Sequence, residues 1–311
     1  MSEISRIRRA YDGSLLSYRS LRVAGWGMLE NLGYYPLYAL PLLASGFPWF
    51  QRKLARESIR LLDLRPGQRV LDVAMGKGWT SDRMARSGAQ VLGIDLLPEN
   101  IEQARRRFPK GTFAVADATQ LSDRVGDIAL APGSFDRILC LEAAFAFGAK
   151  GRYAFLERSF RLLRPGGRLV IVDFTWPDEH PEDIARHDPH GFVRETWQFE
   201  EFEPLARYRG TARALGFRER QIVDWSTLVT KRFAAICWFF TRMFQNPVGR
   251  FVYALFRPGL FRMWNADFAH LLEVVRAHRS VQRASSYTAL VFEKPDENEA
   301  ASVMPGPGGT H

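Results

Sequence analysis

Three aspartates stand at or near the ends of successive apolar runs of the sequence. Asp72 lies within VLDVA, Asp95 closes VLGID, and Asp117 follows FAVA. In an α/β fold, an acid that ends the second strand meets ribose hydroxyls, and one that ends the third is positioned to meet an adenine amino group. Each acid alone could also cap a helix or turn. Together they predict a binding site for a nucleoside-containing ligand.

A loop of small residues follows the first apolar run. It reads Ala74-Met75-Gly76-Lys77-Gly78 and leads into a helical pattern from Trp79. Small residues let the backbone approach a ligand closely with its N–H groups free. A nicotinamide fingerprint would read G-x-G-x-x-G, whereas this loop reads D-x-A-x-G-x-G with an acid inside it. The spacing therefore argues against a nicotinamide oxidoreductase.

Short apolar runs alternate with helical patterns from Arg69 onward, which is typical of βαβ units and a parallel sheet. The helices are predicted to begin near Trp79, Pro98 and Arg152, with a further helix from Glu203 to Leu215. We predict seven strands, at Arg69–Val73, Gln90–Ile94, Thr112–Ala116, Phe135–Leu139, Arg168–Asp173, Gln221–Trp225 and Tyr287–Phe292. Seven strands fit one sheet.

The pattern divides the chain into five segments. We predict an N-terminal helical cap at 1–60, a core at 61–225 completed by a final strand at 286–295, a helical lid at 226–285 and a disordered tail at 296–311. The lid segment is too long for a hairpin. Its aromatic residues could form an apolar acceptor pocket; they are Trp238, Phe239, Phe240, Phe244, Phe251, Tyr253, Phe256, Phe261, Trp264 and Phe268.

Five motifs in order carry a family resemblance from about Arg69 to Asp173: VLDVAMGKG, GIDLLPENIEQAR, ADA, FDRILCLEAAFAF and LLRPGGRLVIVDF. This order resembles the class I S-adenosylmethionine-dependent methyltransferases of small molecules, near the tocopherol, sterol, terpenoid and natural-product group. The resemblance implies a Rossmann-like doubly wound sheet of seven strands. It also implies S-adenosyl-L-methionine as cofactor and S-adenosyl-L-homocysteine as product.

The resemblance assigns the cofactor-binding residues one by one. They would be Asp72, Ala74, Gly76, Gly78, Asp95, Leu96, Asp117, Ala118 and Leu141. The sequence departs from the family at Ala74, where the usual D-x-G-x-G-x-G has its first glycine. Alanine is the mildest replacement, although it could weaken binding or shift the loop.

Two residues are candidates for a catalytic base. Glu142 comes first, because the residues after the fourth strand face the donor methyl in this fold; a helix cap or salt bridge would equally explain it. His270 comes second, on a predicted lid helix. The family often has a histidine after the Phe of this stretch, but Ala146 and Phe147 stand there. Methyl transfer from a sulfonium is an in-line displacement, so the protein must mainly align the reactants and exclude water.

The sequence gives little support for a metal site. His187 and His190 have a spacing that two ligands could use, but only Asp183 and Asp188 stand nearby, with no cysteine. Methyl transfer of this kind needs no metal in principle. We therefore predict that the protein holds none.

Net charge and cysteine content limit the kinds of partner and the cellular compartment that we expect. The chain has a net charge of +9, which suits an anionic substrate, a membrane surface or nucleic acid, and equally a solvated basic face. Cys140 and Cys237 lack a disulfide or CxxC pattern, and the N-terminus lacks a signal peptide, so we expect a cytoplasmic protein. No apolar stretch reaches the roughly 18 residues of a spanning helix, which leaves only peripheral membrane contact.

The prediction is a methyltransferase that acts by in-line displacement on a small, largely apolar acceptor, such as an isoprenoid, a terpenoid or another natural product. Alternatives are O- or N-methylation of a polyketide, alkaloid or lipid, a nucleic-acid methyltransferase and a cofactor-binding protein without catalysis. Against nucleic acid, no N-P-P-Y-like tetrapeptide follows the fourth strand. The sequence leaves open the acceptor, the methylated atom, a role for diphosphate and Mg²⁺, and homo-oligomer formation through the aromatic N-terminal extension.

Overall fold

The computed structural model describes residues 18, 21–22, 26–27, 29–40, 46–256 and 265–296. The strands of its main sheet are β1 (Arg69–Val73), β2 (Gln90–Asp95), β3 (Thr112–Val115), β4 (Phe135–Leu141), β5 (Leu163–Thr175), β6 (Arg218–Asp224) and β7 (Ser286–Glu293). They form one sheet in the order β3-β2-β1-β4-β5-β7-β6, with β1 to β5 parallel and β7 antiparallel to both of its neighbours. The predicted Rossmann-like sheet of seven strands is confirmed.

The helices flank this sheet. Within the described residues they are α1 (Pro48–Leu61), α2 (Trp79–Ala85), α3 (Pro98–Arg107), α4 (Gly148–Leu162), α5 (Ile184–His187), α6 (Phe192–Trp197), α7 (Leu205–Ala214), α8 (Arg232–Gln245), α9 (Pro247–Phe256) and α10 (Asn265–Ala284). The predicted starts at Trp79 and Pro98 are correct. The helix predicted near Arg152 begins at Gly148 instead, because a 3₁₀ turn at Ala144–Phe147 leads directly into it.

Two strand boundaries differ from the prediction in a way that matters for the site. β4 continues two residues past Leu139, so Glu142 follows the end of the strand directly. β5 begins at Leu163 rather than Arg168, since Leu163 already pairs with Phe135 of β4 and the Arg-Pro-Gly-Gly segment forms a bulge, with Gly166 at φ +71°, before pairing resumes at Arg168. Turn residues after a helix therefore became the first part of the strand.

Both faces of the sheet are buried. On one face Val70, Leu139 and Val172 belong to a core that includes side chains of α1 and of the helices between β6 and β7. On the other, Leu71 and Ile138 belong to a core with side chains of α4 and α7. A sheet covered on both faces explains why its strands read as nearly continuous apolar runs.

The long connection between β6 and β7 holds α8, α9 and α10. α8 packs against α10, and α9 folds back on the end of α8. Gly249 permits that approach, because a Cβ at this position would lie 2.7 Å from the carbonyl oxygen of Met243. No helix in the described residues is long and apolar enough to cross a membrane. Residues 1–17 of the predicted cap and residues 297–311 of the predicted tail lie outside the described residues.

Candidate active site

A cavity opens at the carboxyl ends of β1 to β4, and we call it the cofactor cavity. Of the nine residues predicted to hold a cofactor, eight line it: Asp72, Ala74, Gly76, Asp95, Leu96, Asp117, Ala118 and Leu141. The ninth, Gly78, is the last residue of the loop and does not line the cavity. Parallel strands place their carboxyl ends at one edge, where ligands of this fold bind. The structure therefore brings the predicted residues together in one place.

Three residues of the loop after β1, Ala74, Gly76 and Gly78, lie in the left-handed region of backbone space. Gly78 has φ +83°, and a Cβ there would lie 2.9 Å from the Cβ of Ala104 on α3. Its role is packing, since only glycine lets α2 start so close to α3. Ala74 has φ +53°. A side chain in this conformation costs about 1–2 kcal/mol, so the alanine that replaces the family's glycine is strained.

Asp72 anchors the helix that follows the loop. The side chain is buried, and its Oδ2 accepts hydrogen bonds from the hydroxyls of Thr80 and Ser81, each at 2.6 Å. Burial raises the pKa of the carboxyl to about 6, although the two hydroxyls oppose the shift. Asp72 therefore fixes the first turn of α2 beside the cavity.

Asp95 joins the loop to the end of β2. Its Oδ2 accepts a hydrogen bond from the N–H of Gly76 at 2.9 Å, and its Oδ1 accepts bonds from the N–H of Leu97 at 2.9 Å and the amide of Asn100 at 3.1 Å. Burial raises the pKa of Asp95 to about 6 against these three bonds. A carboxylate has about four lone-pair sites, so Asp95 retains capacity for one further donor.

Asp117 has the capping role that the sequence left open. Its Oδ1 accepts hydrogen bonds from the N–H and the hydroxyl of Thr119, at 2.8 and 2.7 Å, at the start of the short 3₁₀ turn Ala118–Gln120. The same side chain lines the cofactor cavity at the end of β3. Asp117 can therefore cap the turn and line the cavity at once, because only its Oδ1 accepts the bonds from Thr119.

Glu142 follows β4 with φ +50° and lines the cofactor cavity. Its carboxylate accepts hydrogen bonds from the N–H of Leu32, at 3.1 and 3.2 Å, and from the hydroxyl of Tyr287. Burial raises the pKa of Glu142 to about 8, with the nearby Asp173 acting in the same direction and the two hydrogen bonds opposing it. A carboxyl that titrates near neutrality therefore stands at the cavity wall.

His270 occupies a different place from Glu142. It lies on α10, its side chain is exposed, and its ring packs edge-on against Phe192 at 5.3 Å between centroids. No histidine is among the described residues that line the cofactor cavity. The structure therefore does not bring the two candidate bases together.

The N-terminal segment closes one side of the cofactor cavity, which the sequence did not reveal. Leu29, Glu30 and Asn31 line the cavity. The ammonium of Lys77, inside the glycine loop, bonds Glu30 at 2.7 Å and the carbonyl of Gly27 at 2.8 Å. These contacts join positions about fifty residues apart, so no local pattern could predict them.

A second cavity, which we call the apolar cavity, lies among α8, α9, α10 and the end of α6. It is lined by Leu21, Gly46, Phe47, Thr196, Trp197, Phe233, Ala234, Ile236, Cys237, Phe240, Thr241, Phe244, Tyr253, Leu271, Val274, Val275, His278 and Gln282. Of the aromatic residues predicted for the lid, Phe240, Phe244 and Tyr253 line it. Phe239 and Phe251 are exposed instead, and Phe261 and Trp264 lie outside the described residues.

A small connecting cavity lies between the other two. Phe145 lines both it and the cofactor cavity, while Trp197, His278 and Gln282 line both it and the apolar cavity. The Nε2 of His278 accepts a hydrogen bond from the indole of Trp197 at 3.0 Å, and burial lowers the pKa of His278. The Oε1 of the buried Gln282 has no hydrogen-bond partner among the described residues. Shared lining residues therefore place the three cavities in a series, and Gln282 offers an unpartnered acceptor where the connecting cavity and the apolar cavity meet.

A buried ion pair supports the turn after β4. The guanidinium of Arg152 contacts the carboxylate of Glu203 at 2.6 and 2.7 Å, and both side chains are more than nine-tenths buried. A further nitrogen of Arg152 donates to the carbonyls of Ala144 and Phe145 at 3.3 Å. This pair fixes the turn that carries Phe145 between two cavities.

Comparison with known proteins identifies the domain. Residues 70–167 match the family model described as a methyltransferase domain. A demethylmenaquinone methyltransferase from Beutenbergia cavernae is 32% identical over 174 residues, which are 55% of this chain and 64% of that protein. A ubiquinone biosynthesis O-methyltransferase from Xanthomonas campestris is 40% identical over 107 residues, 34% of this chain and 43% of that protein. The chain thus spans less than two thirds of these relatives.

Solved structures extend the similarity to the whole fold. The cyclopropane synthase of Mycobacterium tuberculosis aligns with a TM-score of 0.69 at 14% identity, covering 94% of this chain and 99% of that one. Geranyl diphosphate C-methyltransferase from Streptomyces coelicolor aligns with a TM-score of 0.65 at 14% identity, covering 94% and 98%. At such identities the likeness shows the fold alone. Together with the family match, it confirms the resemblance to class I, S-adenosyl-L-methionine-dependent methyltransferases, and residues 70–167 of this chain match a methyltransferase domain.

Proposed function

We propose that the chain is an enzyme that transfers a methyl group from S-adenosyl-L-methionine to a small, largely apolar acceptor by in-line displacement. The observation that carries this proposal is the series of cavities: the polar site at the strand ends shares Phe145 with the connecting cavity, which in turn shares Trp197 and His278 with the apolar cavity. The quinone substrates named in the relatives support an isoprenoid or prenylated aromatic acceptor. O- or N-methylation of another natural product remains the alternative.

The cofactor cavity fits the proposed cofactor. Asp95 retains capacity for a ribose hydroxyl, and Asp117 stands beside Ala118 where an adenine ring would lie. Gly76 leaves open space where a Cβ would otherwise stand, so the backbone can approach the methionine end. When bound, the cofactor supplies an electrophilic methyl group on a sulfonium. The protein's own residues then hold and orient the two reactants.

Glu142 is proposed as the base for the acceptor's proton. Its carboxylate lines the cofactor cavity near Phe145, which leads toward the connecting cavity. The hydroxyl of Tyr287 and the N–H of Leu32 hold the carboxylate in position. A general base works best when its pKa lies near the operating pH, and the pKa of Glu142 is raised to about 8. Below that pH much of the carboxyl is protonated and cannot accept a proton.

The apolar cavity is proposed to hold the hydrocarbon part of the acceptor. Phe233, Phe240 and Val275 give it an apolar wall, and Trp197 and His278 stand at its junction with the connecting cavity. The unpartnered Oε1 of Gln282 offers one hydrogen-bond acceptor there. Pockets of this kind bind through apolar contact and use few polar groups for orientation.

The cofactor assignment predicts a specific loss of binding in Asp95→Asn. Removing the charge weakens the bonds from Gly76 and Leu97 and places an amide N–H where only acceptors fit. A bond to a charged group contributes about 1.5–3 kcal/mol, so calorimetry should show affinity for S-adenosyl-L-methionine and S-adenosyl-L-homocysteine falling roughly ten- to a hundred-fold. The exposed Asp178→Asn is the control. Binding of NADH alone, or of neither sulfur ligand by the wild type, would contradict the cofactor assignment.

If the acceptor binds in the apolar cavity, filling that cavity should weaken acceptor binding and leave cofactor binding unchanged. Ala234 lines the apolar cavity, whereas its neighbour Ala235 on α8 is exposed. Ala234→Phe fills the cavity and should raise the KM for the acceptor about tenfold or more, since one lost apolar side-chain contact is worth roughly 1.5–3 kcal/mol. Ala235→Phe should leave it unchanged, and both should bind S-adenosyl-L-methionine like the wild type.

The assay for this comparison uses a radiolabelled methyl donor and three acceptor classes. They are a prenylated hydroquinone, geranyl diphosphate with and without Mg²⁺, and a phenolic polyketide. An equal KM in the two phenylalanine variants, with turnover intact, would show that the acceptor binds elsewhere. The class that is methylated distinguishes isoprenoid from polyketide chemistry.

A further inference from the structure

Helix α9 presents an apolar stripe to its surroundings. Val248, Phe251, Val252 and Leu255 are 70%, 57%, 51% and 62% exposed, at the i, i+3, i+4 and i+7 positions that share one helix face. Ala254, beside the stripe, is fully buried, and Tyr253, on the other side of the helix, lines the apolar cavity. α9 is therefore an amphipathic helix whose apolar stripe points away from the core, the reverse of an ordinary surface helix.

A further large apolar side chain is exposed on the preceding helix. Phe239, on α8, is 62% exposed. Soluble monomers rarely expose contiguous apolar patches, and those that do use them for binding. Gly249 keeps α9 close to the end of α8, so this arrangement is built into the packing of the two helices. We call the stripe together with Phe239 the outer apolar face.

The segment that contains the outer apolar face carries an excess of positive charge. Residues 226–285 contain nine arginines and lysines and two acidic residues, a net charge of +7 in a chain of +9. Arg242 and Arg276 are exposed, and both guanidinium groups lie near the ring of Trp238, at 5.8 and 5.9 Å from its centroid. Arg279 lies over the same ring at 4.7 Å. The segment therefore joins exposed apolar side chains to a strong positive charge.

We propose that the outer apolar face docks on an anionic membrane surface, with α9 lying in the plane of the interface. Apolar side chains enter the acyl boundary while arginines meet anionic headgroups, and this combination defines interfacial helices. A second copy of the chain fits the face poorly, because two segments of charge +7 would meet. The charge therefore favours a lipid surface over self-association.

The docked position has a consequence for the acceptor that rests on the proposed function. Tyr253 lies on α9 between Val252 and Ala254, and its ring lines the apolar cavity. One helix thus separates the cavity from the proposed interface. An acceptor dissolved in the bilayer would reach the cavity beside α9 without crossing water.

Co-sedimentation with lipid vesicles tests the docking without any assay of methyl transfer. Wild-type protein should sediment with phosphatidylglycerol vesicles at low salt, bind phosphatidylcholine vesicles weakly, and dissociate as salt rises. The triple variant Val248→Ser, Val252→Ser and Leu255→Ser should lower the partition coefficient about tenfold or more, because it removes most of the inserted apolar area. Tyr153→Ser, which removes a half-exposed aromatic from α4, should leave it unchanged.

Two results would overturn the proposal. One is equal binding of the wild type and the triple variant to anionic vesicles. The other is a wild-type dimer, seen by light scattering without lipid, that the triple variant abolishes, since the face would then pair two copies. Titration of the triple variant with S-adenosyl-L-methionine by calorimetry checks that the variant is folded. Because vesicle binding and cofactor binding are measured separately, a failure of the docking proposal can be told apart from a failure of the cofactor assignment.

Discussion

Glu142→Gln is expected to lower kcat by about a hundred- to ten-thousand-fold, the usual contribution of a positioned general base. Glutamine keeps the size of the side chain, and its carbonyl can still accept the N–H of Leu32. It cannot take up a proton. Affinity for S-adenosyl-L-methionine, measured by calorimetry, should stay near the wild-type value and so exclude a folding defect.

If Glu142 is the base, kcat/KM should depend on pH in one direction. The pKa of Glu142 is raised to about 8, and a base acts in its ionised form, so kcat/KM should rise with pH and level off above pH 8. The bond from Tyr287 lowers that pKa. Tyr287→Phe should therefore move the midpoint to higher pH while leaving the plateau largely intact.

Two outcomes would remove Glu142 from the chemistry. If Glu142→Gln kept wild-type turnover, the carboxyl would serve only to hold Leu32 and Tyr287. If the wild type showed no rise in kcat/KM toward pH 8, an unassisted attack by the acceptor would suffice. Carbon methylation of an alkene would still need a group to remove the proton of the resulting cation, so the second outcome would favour a heteroatom acceptor.

Glu203→Gln is expected to lower the free energy of unfolding by about 3–5 kcal/mol, because it leaves the guanidinium of Arg152 buried without its counter-charge. Arg152 is 2% exposed, and its bonds to the carbonyls of Ala144 and Phe145 cannot neutralise the charge. Urea unfolding followed by circular dichroism measures the loss. The turn that carries Phe145 should loosen with it, so cofactor affinity should fall as well.

The matched control is a glutamate of the same type in an exposed pair. Glu219 contacts Arg209 at 2.7 Å, with both side chains a third or more exposed. Exposed pairs contribute about 0–1 kcal/mol, so Glu219→Gln should change the free energy of unfolding little. Equal losses in the two variants would mean that burial of the Arg152 pair adds nothing to stability.

The sheet and the strand-end acids were predictable because they depend on local patterns. A strand buried on both faces shows as an apolar run, and an acid at its end is visible directly, as with Asp95. The loop after β1 could be placed because Gly76 and Gly78 mark it. The end of β5 nearest α4 was misplaced, since Gly166 and Gly167 read as a turn but continue the strand across a register shift.

Contacts between distant parts of the chain could not be predicted. Glu142 was placed by the resemblance, but its partners Leu32 and Tyr287 lie 110 and 145 residues away. The helical period put His270 on a helix without fixing which way it points, and that helix turns it outward. Aromatic content likewise could not separate Phe244, inside the apolar cavity, from the exposed Phe239.

Ala74 and Glu142, which line the cofactor cavity and have a left-handed backbone without being glycine, should behave differently during selection for heat resistance. Each holds about 1–2 kcal/mol of conformational energy that glycine would release. Ala74 lines the cofactor cavity at the position where the family has glycine, so a population under thermal selection is free to drift to glycine there. At Glu142 a change to glycine would release the same strain but would also remove the carboxylate. Instability at that position is therefore retained by selection on activity, and stabilising changes must accumulate elsewhere in the chain.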